Sequence, residues 1–220
     1  MIVEPTDVPD VTEPGTTVTD DDEPAEETTA PVDDEIAEAL AAQEKYQALY
    51  DQNSDFVGWI KIENTMISYP VMQSIDSPDF YLKHGFDKGY SNYGVPYIDE
   101  ARATGLSNNI VIYGHNMKNG SMFSDLVKYS PQDYYESHPV IQYDTLTQLS
   151  AYQIVCVFRF NEYTDMNEEE FTEYMTNCHE RQLYDTGVTA EYGDELITLS
   201  TCEYTYENGR FVVVARKIVE

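Results

Sequence analysis

Residues 194–217 read DELITLSTCEYTYENGRFVVVARK. Two runs rich in β-branched and large apolar residues, 194–201 and 211–217, flank a polar stretch that ends on Asn208 and Gly209. That pattern predicts an antiparallel hairpin. The first run ends at Cys202 and the second opens behind Arg210, so the hairpin returns a guanidinium toward a thiol. Working outward, six more β-rich runs precede it, at 56–62, 66–72, 94–98, 109–113, 140–146 and 151–160. Eight short strands predict a mainly β fold closed, or nearly closed, into a barrel.

Helical periods interrupt these runs. From Asp33 to Gln52 an apolar stripe of Ile36, Leu40, Tyr46, Leu49 and Tyr50 predicts an N-terminal helix, with Asp33 or Asp34 as its cap. Shorter helical pieces are expected near 121–128 and 131–137. A stronger one at 167–181 places Phe171, Tyr174, Met175 and Cys178 at i, i+3, i+4 and i+7, and Asn167 with Glu170 resembles a capping box. It is inserted before the last two strands. Glu168, Glu169 and Glu170 in its first turn complement the helix macrodipole and need no bound cation.

The chain has 220 residues and a formal net charge of −29. Phosphate backbones and anionic membrane surfaces repel such a chain, which excludes general nucleic-acid or lipid-surface binding. The charge is uneven. Residues 1–35 carry 13 acids, no Lys or Arg and no aromatic residue, with Pro at 5, 9, 14, 24 and 31. A segment so composed cannot bury enough apolar surface to offset its ordering entropy, and it reads as a disordered acidic tether. Residues 36–220 form one domain with a sizeable core. No run approaches the ~18 apolar residues of a membrane-spanning helix. The sequence opens directly on tether-like residues, which leaves room for an anchor upstream of Met1.

Three cysteines, Cys156, Cys178 and Cys202, cannot all pair within the chain, and no spacing reads as a zinc set. No metal or cofactor is expected. Cys156 alternates with Ile154 and Phe158 on a strand, and Cys178 sits on the apolar stripe of the 167–181 helix; both read as core. Cys202 stands at a strand end, open to a cleft. A nucleophilic thiol needs a base and an electrophilic group beside it. His115, behind the run Asn109-Ile-Val-Ile-Tyr-Gly, also lies at a strand end and is the candidate base. Arg210 is the candidate electrophile. Arg216, six residues further along the same strand, lies nearly 20 Å away at ~3.3 Å per residue. His84, His138 and His179 have structural explanations in a loop, at a helix end and on a helix.

These stretches resemble the class B sortases. The resemblance rests on Asn109-Ile-Val-Ile-Tyr-Gly-His-Asn, Thr198-Leu-Ser-Thr-Cys and Arg210-Phe-Val-Val-Val-Ala-Arg, with Phe56-Val-Gly-Trp-Ile-Lys-Ile and Ile67-Ser-Tyr-Pro-Val-Met-Gln matching the first two strands. It covers about residues 35–220. It implies an extracytoplasmic cysteine transpeptidase of Gram-positive bacteria, with Cys202 as nucleophile, His115 as general acid and base, and Arg210 stabilising the oxyanion or substrate. Such an enzyme cleaves a C-terminal sorting signal after Thr, holds the product as a thioacyl intermediate and transfers it to an amine. The partners implied are sorting-signal-bearing surface proteins and a peptidoglycan cross-bridge amine, or a pilin Lys, with membrane contact only through an anchor outside this chain. Ser200, on the strand face of Cys202, is a candidate substrate contact, against the alternative of a barrel-edge hydroxyl facing water. Asn116 adjoins His115, but neighbouring strand residues point to opposite faces, so it is not expected to complete a triad. Two readings compete with the transpeptidase: a cysteine peptidase that hydrolyses its intermediate, and a binding module with a decayed site.

Overall fold

The computed structural model describes residues 31–77, 79–98, 109–160, 168–204 and 209–219. Helix α1 (Pro31–Gln52) leads into strands β1 (Phe56–Lys61), β2 (Ser68–Met72), β3 (Tyr97–Ile98), β4 (Asn109–Tyr113), β5 (Val140–Asp144), β6 (Ala151–Phe160), β7 (Leu196–Cys202) and β8 (Arg210–Lys217). Helix α2 (Gln132–Ser137) precedes β5, and α3 (Glu168–Arg181) lies between β6 and β7. The strands close a barrel in the order β1-β2-β3-β4-β7-β8-β6-β5. All eight expected strands are present, and each expected helical piece is found, with 3-10 turns at 80–82 and 123–129.

Most neighbours are antiparallel, but β4 pairs with β7 in parallel, as β2 does with β3. Strands β7 and β8 are buried on both faces because both faces are covered. Ile197, Leu199, Phe211, Val213 and Ala215 fill the barrel interior. Leu196, Val212 and Val214 face outward under α3, whose Phe171, Met175 and Cys178 close over them. The α3 stripe is therefore the one its periodicity predicts, although Asn167 of the expected capping box lies outside the described residues.

Two expectations need correction. The alternation across β6 is broken by a bulge between Ile154 and Cys156. Ile154 and Val157 consequently point into the barrel, while Cys156 and Phe158 pack outside it against α3. An extra residue on one strand reverses every following side chain, and composition gives no sign of it. Helix α1 opens at Pro31, whose missing N–H is harmless in a first turn, so Asp33 and Asp34 lie inside the helix and do not cap it. Its buried residues lie in its second half. Ala42 and Tyr46 are buried, but Ile36 and Leu40 of the predicted stripe remain exposed. Tyr46 donates to Asp144 Oδ2 at 2.6 Å, and Lys45 meets the same oxygen at 2.8 Å. Residues 1–30 of the expected tether lie outside the described residues; residues 31–35 begin α1.

The core is unusually rich in phenols. Burial, then the Asp144 carboxylate, pushes Tyr46 up to about 12. Burial likewise raises Tyr129, Tyr143 and Tyr152 above the ordinary tyrosine value. A group whose folded value is raised contributes stability that is complete below its unfolded value and is lost as pH rises toward the folded one. Each of these tyrosines therefore steepens the fall in stability above pH ~10 by about 1.4 kcal/mol per pH unit. Urea unfolding at pH 8 and pH 11 should show a much lower midpoint at pH 11. Equal midpoints would contradict the buried-phenol core.

Candidate active site

The parallel β4–β7 ladder sets the site. Asn109 lies opposite Leu196 and Tyr113 opposite Ser200, and the turn that follows, with His115 in it, stays bonded to the end of β7. On the other side of β7 the antiparallel register pairs Cys202 with Arg210. Thiol and guanidinium thus occupy directly paired positions on adjacent strands, and the turn that carries His115 adjoins them at the same mouth of the barrel. The hairpin predicted at 194–217 is closed by Glu203 N–H donating to the Gly209 carbonyl at 2.8 Å.

Side-chain geometry completes the arrangement. Arg210 Nη1 donates to Cys202 Sγ at 3.0 Å. This places a permanent planar cation against the sulfur and beside any oxyanion formed there. The His115 turn is tied to β7 by three bonds: Gly114 N–H to the Ser200 carbonyl at 3.1 Å, Thr201 Oγ1 to the Gly114 carbonyl at 2.7 Å, and Asn116 Nδ2 to the Cys202 carbonyl at 3.0 Å. Tyr204 Oη donates to the Asn116 carbonyl at 2.9 Å. Gly114 has a steric reason: a Cβ there would stand 2.6 Å from the Phe123 ring.

Asn116 has a role that strand alternation did not reveal. Strand β4 ends at Tyr113, and Asn116 turns back to hold the backbone of Cys202. Ser200 is 1% exposed, so it is no water-facing hydroxyl. Its Oγ is buried without a hydrogen-bond partner, a condition that costs about 1–3 kcal/mol. Arg216 pairs across β8 with Leu196 at the far end of the ladder, away from Cys202. Nδ1 of His84 and of His138 bonds to the backbone of its own segment, to the Phe80 and Tyr134 carbonyls.

The three thiols are free, and only Cys202 has access to solvent. Cys156 and Cys178 are 0% and 1% exposed. A hydrogen bond to Cys178, reinforced by burial, raises the Cys156 thiol well above its ordinary value, which leaves it unreactive. Native labelling with a thiol reagent should modify one cysteine per chain, and peptide mapping should place it at Cys202. Comparable labelling of Cys156 or Cys178 in the folded protein would contradict this packing.

Comparison with known proteins gives this barrel its class. A family model described as Sortase domain matches residues 60–218. Sortase B of Listeria monocytogenes is 34% identical over 187 residues, spanning 81% of this chain and 76% of the relative. Sortase B of Staphylococcus aureus is 29% identical over 184 residues, 80% of this chain and 75% of that one. Among solved structures, Clostridium perfringens sortase B superposes with a TM-score of 0.73 at 30% identity, covering 79% of this chain and 99% of that one. A Staphylococcus aureus sortase B–substrate complex gives a TM-score of 0.72 at 27% identity, covering 84% and 94%. The chain belongs to the sortase family, and its relatives place it in the B class: it is a cysteine transpeptidase. Among the described residues no helix is long and apolar enough to cross a membrane.

Proposed function

We propose that Cys202, His115 and Arg210 carry the transpeptidation, and that the chain attaches sorting-signal-bearing surface proteins to peptidoglycan. The observation that supports this most is the pairing of Cys202 with Arg210 across β7 and β8, with the guanidinium 3.0 Å from the sulfur and the His115 turn bonded to the end of β7. In the first half-reaction Cys202 Sγ, passing its proton to His115, attacks the carbonyl carbon of the signal's Thr, and Arg210 faces the oxygen that gains the charge. The C–N bond breaks and His115 gives its proton to the departing amine, leaving an S-acyl enzyme. In the second half-reaction an acceptor amine attacks that thioester while His115 takes the amine's proton. A new amide forms, the C–S bond breaks and His115 returns the proton to the departing sulfur, so the thiol is regenerated for another cycle.

A thioester keeps its acyl-transfer potential, so a positioned amine outcompetes water, and proton transfer by a histidine contributes ~10²–10⁴-fold. Ser200 is the proposed substrate contact: its unpartnered hydroxyl shares the β7 face of Cys202 and would donate to the extended signal peptide. The domain is proposed to work outside the cytoplasm, attached through an anchor beyond this chain, with residues 1–30 as a self-repelling acidic spacer.

Product analysis tests this reading. Sorting-signal peptides incubated with the protein and a peptidoglycan cross-bridge amine should give the amide, and the free Thr acid should dominate only when amine is withheld. Free acid as the sole product at saturating amine would identify a hydrolase instead.

A further inference from the structure

No carboxylate or amide side chain among the described residues bonds to the His115 ring; a backbone carbonyl does. His115 Nε2 lies 2.8 Å from the carbonyl oxygen of Leu82, 33 residues upstream. A carbonyl oxygen only accepts, so Nε2 carries a proton whenever this bond is made, whether the ring is neutral or charged. We propose that the Leu82 carbonyl is the orienting partner of His115, fixing Nε2 as the permanent N–H and leaving Nδ1 as the atom that exchanges the catalytic proton. This rests on the catalytic role proposed for His115 and deepens it. The Nδ1 proton goes to the leaving amine in acylation, and the acceptor amine returns one to Nδ1 in deacylation, while the Nε2 proton stays in place throughout.

The segment that presents this carbonyl is held more firmly than an ordinary loop. Tyr81, next to Leu82, is 1% exposed. Its Oη donates to Asp55 Oδ2 at 2.7 Å and accepts from Asn53 Nδ2 at 2.9 Å. Lys88 closes on the same Asp55 oxygen at 2.9 Å, and Asn53 Nδ2 also reaches the Phe86 carbonyl at 2.7 Å. On the other side Tyr97 Oη donates to Asp79 Oδ1 at 2.5 Å. Val95 N–H donates to the Tyr81 carbonyl at 3.1 Å. Gly94, at φ 58°, packs so closely that a Cβ would stand 2.5 Å from the Tyr81 oxygen and 2.8 Å from the Leu82 oxygen. The carbonyl that a triad would replace with a side chain is thus fixed from three directions. Tyr81 is in this scheme a positioning residue for His115: it touches neither substrate nor thiol.

The test is the tautomer of His115, read from long-range ¹⁵N–¹H correlation spectra of the whole ¹⁵N-labelled protein at a pH where the ring is neutral, with His115→Gln used to assign the signal. The expected pattern is a protonated Nε2 and a bare Nδ1. A protonated Nδ1, or signals averaged between both tautomers, would overturn the proposal. Tyr81→Phe keeps the ring and removes its two hydrogen bonds; it should lower kcat about tenfold with KM within about twofold, and shift His115 toward averaged tautomers. Wild-type kcat and an unchanged tautomer in Tyr81→Phe would overturn its positioning role. The catalytic reading fails separately: full activity in His115→Gln would remove His115 from the mechanism whichever nitrogen carries the proton.

Discussion

Cys202→Ala should lose transpeptidation by about 10⁴-fold or more, measured as kcat/KM on a sorting-signal peptide with amine present. No other described thiol can substitute: Cys156 and Cys178 are buried between β6 and α3, outside the barrel wall. The fold should survive, because Cys202 is partly exposed and its neighbours in β7 bury their side chains independently of it. An unchanged thermal midpoint together with the lost rate separates chemistry from folding. More than about a tenth of wild-type activity in a folded Cys202→Ala protein would mean that the thiol is not the nucleophile.

Arg210→Ala has the second largest expected effect, a fall of about 10²–10³-fold carried mainly by kcat. Arg210 Nη1 reaches the sulfur from the directly paired position on β8, so it adjoins the atom that attacks and the oxygen that gains charge. Arg210→Lys should recover little of the loss. A flexible ammonium keeps the charge but not the planar array of fixed donors, and the two replacements are not equivalent at such a site. Burst-phase and steady-state kinetics on both variants measure this. A loss confined to KM would assign Arg210 to substrate binding alone.

Much of this arrangement was legible in the sequence, for definable reasons. The run 194–217 exposes its hairpin through β-branched residues on either side of a polar turn, and once the hairpin is set the Cys202–Arg210 pairing follows within a residue. His115 was visible as a strand-end histidine, but its place beside Cys202 depends on the parallel β4–β7 ladder joining strands more than 80 residues apart. The family resemblance supplied the role of His115; the long-range pairing itself came only from the structure. What stayed hidden was of two kinds. A bulge in β6 turned Cys156 and Phe158 away from the face of Ile154 because one extra residue reverses the alternation. The partner of His115 is a main-chain oxygen at Leu82, and every residue type carries one, so no side-chain motif could announce it. The bond of Asn116 to the Cys202 carbonyl became visible only once β4 was seen to end before it.

The most direct test of Cys202 as the acyl carrier is intact-mass spectrometry of the chain mixed with sorting-signal peptides in the absence of amine, followed by peptide mapping of any adduct. The expected result is one acyl group per chain, attached at Cys202, released as an amide when amine is added and absent from Cys202→Ala. An adduct mapped to another residue, or turnover of the peptide by the Cys202→Ala protein, would contradict it.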